Sequence, residues 1–208
     1  MKIVMNNNLF RYSILLLLAI SFISGTFEML FIFICSLLFH ELGHIIFAYV
    51  FKVKIRKIGF KLYGICANFE MEGINLVKKI IIYLSGVLFN AIIIVVFSKT
   101  FIYFKYSDFI INCNKVLIVF NLLFVYPLDG FNIFNEIIAS CFKDEYNNRA
   151  FKISIMISLV ILLALFIIAV YLKSFALIFI VFVLLYKNII KIKRRDEEIL
   201  YKIILLLT

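Results

Sequence analysis

Charge is scarce in this sequence: 16% of its residues are Asp, Glu, Lys or Arg, while 65% are hydrophobic. An ordinary soluble domain carries about 25% charged residues, so a globule with a continuous polar shell is excluded. The mean hydropathy of +1.13 places the chain in a bilayer. Proline occurs once, at Pro127, and glycine seven times, which excludes proline-rich, collagen-like and glycine-rich linker segments. The four cysteines, Cys35, Cys66, Cys113 and Cys141, form no C-x-x-C pair. They read as reduced packing residues in or beside apolar segments, and neither a thiolate metal cluster nor a disulfide framework is expected.

What is present is a series of apolar runs. Runs near the roughly 20 residues that a membrane helix needs fall at about 9–25, 28–51, 79–104, 108–126, 151–172 and 174–192. The expected fold class is therefore an all-α polytopic membrane protein of about six transmembrane helices. Between the second and third runs, Val53 and Ile55 alternate with basic residues, and the alternation resumes at Ile58, Phe60 and Leu62. That pattern predicts a small membrane-associated β-sheet. Lys2 and Arg11 precede the first run without a small-x-small cleavage pattern, so this run is expected to be retained as a helix. No internal repeat or second soluble domain is evident, and residues 1–208 are expected to form a single integral-membrane domain.

The formal net charge of +10 does not point to nucleic acid, because the basic residues lie between apolar runs, where they set orientation. On a six-helix plan, 18 of the 22 Lys and Arg residues fall on one side, with Lys99, Lys105, Lys115 and Lys173 on the other. The positive-inside rule then puts both termini in the cytoplasm of a cell, bacterial by expectation.

Inside the second run the chain reads Phe39-His40-Glu41-Leu42-Gly43-His44, and these are its only two histidines. Residues four apart on a helix lie one turn above each other, so both imidazoles can reach one tetrahedral zinc ion. Glu41, directly after the first ligand, can reach a water at the metal. A lone histidine on an apolar helix is more often a packed core residue than a ligand. Within a bilayer, however, each ionisable group costs on the order of 3 kcal/mol, and three in one turn point to function. A catalytic zinc takes a third protein ligand, and the acidic candidates are Glu28, Asp108, Asp129 and Glu136. Asp129, between Leu128 and Gly130 and just after Pro127, is also an ordinary helix-terminal turn residue.

These motifs resemble the site-2 protease family of intramembrane zinc metalloproteases. His40-Glu41-Leu42-Gly43-His44 matches its H-E-x-x-H. Asn121-Leu122-Leu123-Phe124-Val125-Tyr126-Pro127-Leu128-Asp129-Gly130 matches its N-x-x-P-x-P-x-L-D-G at Asn121, Leu128, Asp129 and Gly130, and Ser85-Gly86-Val87-Leu88-Phe89-Asn90 resembles its small-Gly-Pro-x-x-Asn. The likeness centres on a core at 28–135, with extra helices at 9–25, 151–172 and 174–192, and is nearest the compact sporulation-type subgroup, without a CBS domain. Phe124 and Tyr126 stand where the family often has prolines, Val87 where proline is usual, and Phe131 where a second glycine is common. A less broken motif helix is expected from these departures.

The resemblance implies one Zn²⁺ per chain, held by His40, His44 and Asp129, with Glu41 as the catalytic base. It implies that Asn90, Asn121 and Gly86 serve substrate binding, although asparagines in apolar helices also make interhelical hydrogen bonds and glycine also allows close packing. The implied partners are the lipid bilayer, a membrane protein or membrane-associated peptide substrate, such as a pro-sigma or anti-sigma factor, and regulatory membrane proteins, with no nucleic acid. The competing expectation is a catalytically inactive homologue that acts as a binding partner or handles metal.

Overall fold

The computed structural model describes residues 21–61, 64–69, 71, 73–142 and 148–207. Its elements in chain order are α1 (Phe27–Val50), β1 (Ile55–Lys61), β2 (Gly64–Phe69), α2 (Leu76–Lys99), α3 (Ser107–Asn121), α4 (Asp129–Phe142), α5 (Asn148–Tyr171) and α6 (Phe175–Leu207). They form two compact units, one running to Phe120 and one starting at Asn121.

Among the described residues, four helices are long and apolar enough to cross a membrane: Phe27–Val50, Leu76–Lys99, Arg149–Tyr171 and Phe175–Arg195. Their outward faces are apolar, with Phe31, Val160, Leu163 and Ile167 each about 60% exposed or more. The chain is an integral membrane protein.

The expected fold class is corrected in both its parts. Four helices of spanning length stand among the described residues, not six. The run at 108–126 contributes α3, whose 15 residues reach about 22 Å at 1.5 Å per residue, against a hydrocarbon core of about 30 Å. The run at 9–25 lies, up to residue 20, outside the described residues. Where a small sheet was expected there is one antiparallel hairpin of two strands, with Ile55 opposite Phe69 and Lys61 opposite Gly64. Val53 is not a strand residue. It follows the end of α1, where Val53 N–H bonds to the Ala48 carbonyl and Lys52 N–H to that of Tyr49, with Lys52 in the left-handed region at φ 57°. This is a Schellman ending, and it turns Val53 back into a cluster with Ala48 and Ile82.

In the first unit the helix seams are mostly small or polar, with Ile82 the large apolar exception. On α1 the buried residues are Ser36, His40, Gly43, His44 and Ala48, and on α2 they are Ile82, Ser85, Gly86 and Asn90. Both sets recur at three- and four-residue steps, one face of a helix. Lipid offers apolar side chains an environment as good as a protein core, so membrane helices associate through close approach and hydrogen bonds. At Gly43 a Cβ would come within 2.6 Å of the Ser85 carbonyl oxygen. Asn75 caps α2, its side chain accepting from Val77 N–H at 3.1 Å. Helix α3 joins α1 through Asn114 Nδ2, which donates to Ser36 Oγ at 3.1 Å.

In the second unit α4 packs on α5 and α5 on α6. Lys173, at φ 51°, ends α5 in a second Schellman turn, with Ser174 N–H on the Ala169 carbonyl. The short link makes α5 and α6 antiparallel neighbours, and Ser154, Ser158, Leu162 and Asn188 are wholly buried.

Candidate metal centre

The four-residue spacing on α1 turns His40 and His44 to the same buried seam, 3% and 5% exposed. Their Nε2 atoms lie 3.2 Å apart and the rings meet edge to face. Two nitrogens bound to one tetrahedral ion at about 2.0–2.1 Å would sit about 3.3–3.4 Å from each other. The pair therefore already has the spacing of two zinc ligands.

The other ring nitrogens are held from α2. His44 Nδ1 lies 2.7 Å from the Ile82 carbonyl oxygen, an acceptor, so Nδ1 carries the proton and Nε2 presents its lone pair. Ser85 Oγ donates to the same carbonyl at 2.6 Å and steadies it. His40 Nδ1 lies 3.2 Å from Asn90 Nδ2, and Asn90 Oδ1 is buried without a partner. With Nδ2 donating, the His40 proton sits on Nε2 and bridges to His44. A half-turn of the Asn90 amide brings Oδ1 to Nδ1, draws the proton there and bares the second Nε2 lone pair. The orphaned oxygen is what a metal-loaded His40 needs as its partner.

Gly86 forms the floor. A Cβ at this position would lie 2.5 Å from His44 Nε2 and 2.6 Å from both Cε1 and Nε2 of His40. The missing side chain leaves the two nitrogens room, and in this arrangement the donor set and cradle fit a small divalent ion. Glu41, half-buried on α1, follows the first histidine. Ile82, whose contribution is a carbonyl, carried no signal in the sequence.

Of the acidic candidates, Glu28 is exposed and lies 4.0 Å from Lys105, Asp108 is exposed near the start of α3, and Glu136 is half-buried on α4. Asp129 is the half-buried first residue of α4 in the second unit. Asn121, its neighbour in the motif, closes α3. The motif helix is fully interrupted between Asn121 and Asp129, so the expectation of a less broken helix is overturned. Pro127 lacks a backbone N–H and disfavours helical geometry before it. The residues that replace the family's prolines are used otherwise: Phe124 stacks on Phe134 with centroids 5.0 Å apart, and Tyr126 meets Phe131 edge to face at 5.4 Å. Gly130 lets the first turn of α4 lie against the Leu122 and Leu123 carbonyls, which a Cβ would strike.

No protein-family model matches the chain, and no curated protein matches it. The helices define a polytopic membrane protein with the fold of a site-2 protease. One solved structure with this fold is the site-2 protease from Methanocaldococcus jannaschii, with a TM-score of 0.64 and 22% sequence identity, covering 86% of this chain and 85% of that one.

Proposed function

We propose that the chain is an intramembrane zinc metalloprotease that cuts a membrane-associated substrate. The observation that carries this reading is the buried imidazole pair, with Nε2 atoms 3.2 Å apart above a glycine that has no room for a methyl group. Asp129 is assigned as the third ligand, completing a His, His, Asp set. Two histidines and a carboxylate are a common catalytic zinc set.

Held by these residues, a zinc ion would supply a water of lowered pKa and polarise the scissile carbonyl. Glu41 takes the proton of the attacking water and passes it to the leaving amine. The C–N bond breaks as the C–O bond forms, leaving a carboxyl and an amino terminus. Ile82 and Asn90 hold the rings of His44 and His40 in place while this happens. Asn121 and Asn90 are assigned to the substrate backbone, which must leave its own helical hydrogen bonds and find partners within the membrane.

We assign the chain to a bacterial cell membrane; the cytoplasmic termini expected from six spans do not follow from the four spans among the described residues. A pro-sigma or anti-sigma factor is the assigned substrate class, supported by resemblance to the sporulation-type subgroup. Glu41→Gln is expected to abolish cleavage of a co-expressed membrane reporter while purified protein still binds zinc, and His44→Ala to lose the metal. Undiminished cleavage by the Glu41→Gln variant sinks the mechanism. Wild-type protein that binds zinc and cuts nothing favours the inactive, metal-handling alternative.

A further inference from the structure

The stretch leading into Asp129 is not helical, yet its polar backbone is fully engaged at Tyr126. The N–H of Tyr126 donates to Ser158 Oγ at 3.2 Å, and that hydroxyl donates to Asn188 Oδ1 at 2.8 Å. Asn188 Nδ2 returns to the Tyr126 carbonyl at 2.9 Å and also donates to Leu184 O at 2.8 Å. The result is a closed ring running from loop to α5 to α6 and back. Each role in it is fixed: the serine gives its one proton, the amide oxygen receives it, and the amide nitrogen has two protons for two carbonyls.

Ser158 and Asn188 are wholly buried in the apolar seam of α5 and α6. Irregular backbone at membrane depth needs protein partners, because lipid supplies none, and this ring supplies both for one peptide position. From Tyr126 the chain passes through Pro127, with φ fixed by its ring, and buried Leu128 to Asp129. Few free torsions separate the clamped residue from the carboxylate. Size alone does not explain the serine hydroxyl. One turn earlier on the same face, Ser154 is equally buried and its Oγ has no partner.

We propose that Ser158 and Asn188 are positioning residues, which hold Tyr126 so that Asp129 presents its carboxylate in one orientation to the metal. The inference rests on the assignment of Asp129 as a ligand. Groups that orient metal ligands change affinity by about 10–100-fold when removed, and a displacement of about 1 Å near a reacting centre costs about 10²-fold in rate.

The test uses the full-length protein in detergent, zinc affinity by chelator competition, and reporter cleavage resolved into kcat and KM. Ser158→Ala and Asn188→Ala are expected to weaken zinc binding about tenfold or more and to lower kcat with KM little changed. Ser158→Thr, which keeps the hydroxyl, should restore both, and Ser154→Ala should match wild type. Should Asn188→Ala fail to fold, Ser158→Ala, which removes a single oxygen, decides the matter with its threonine rescue. Asp129→Ala is the reference. If it loses zinc while Ser158→Ala and Asn188→Ala bind like wild type, the positioning role is overturned, as it is if Ser154→Ala falls as far as Ser158→Ala. If Asp129→Ala binds zinc like wild type, the ligand assignment itself fails and the positioning role falls with it.

Discussion

Replacing Gly86 by alanine adds one methyl group beneath the paired imidazoles. Its carbon would lie 2.5 Å from His44 Nε2 and 2.6 Å from His40 Nε2, whereas ordinary contact begins near 3.4 Å, so the rings or the helices must give way by about 0.9 Å. Metal ligand distances tolerate about 0.2 Å, and overpacking of a tight interior costs about 1–3 kcal/mol of stability. A shift of nearly 1 Å at the ligands is therefore expected to weaken zinc binding and cleavage by about 10²-fold, roughly 2.7 kcal/mol. Chelator competition on purified Gly86→Ala gives the affinity, and thermal unfolding in the same detergent gives the stability. Gly43→Ala is the control for packing, since its methyl meets the Ser85 backbone and the Phe89 ring and not the imidazoles. Its loss should appear more in stability than in affinity. A Gly86→Ala protein that binds zinc as wild type does would show that the glycine is not the floor of a metal site.

Two other expectations follow from single contacts. Asn90→Ala should weaken zinc binding by about 10-fold or more, because it strips the partner of His40 Nδ1, whereas Asn90→Asp, whose oxygens can only accept, should bind at least as well as wild type. Equal affinities for the Ala and Asp variants would discount the half-turn of the amide. Lys173→Gly should raise stability by about 0.5–1 kcal/mol, since glycine takes the φ of 51° seen there without a Cβ penalty. An unchanged or lower unfolding midpoint counts against it.

The parts legible in the sequence are those where chemistry conflicts with the solvent. His40, Glu41 and His44 stand out because lipid tolerates such groups poorly, and their four-residue step places both rings on one seam. Ser85, Gly86 and Asn90 were legible as a motif, but the distinction between packing and cradle depended on where α2 lies against α1. Hydropathy misjudged the run at 108–126, because it counts apolar residues and is blind to the point, Asn121, where the helix stops. The ring through Tyr126, Ser158 and Asn188 left no trace: a serine in an apolar helix is commonplace, and three positions far apart in sequence must meet before any of them means something. Val53 fitted strand alternation by composition, but the end of α1 claimed it.

The narrowness of the seams also bears on how such a chain ages. Only the inward stripe of each helix answers to shape or hydrogen bonding. The broad lipid-facing surface, with residues such as Val160 at 67% and Ile167 at 61% exposed, asks for little beyond oiliness, which Leu, Ile, Val and Phe supply interchangeably. Neutral exchange there can change the letters of the sequence while the backbone path is preserved.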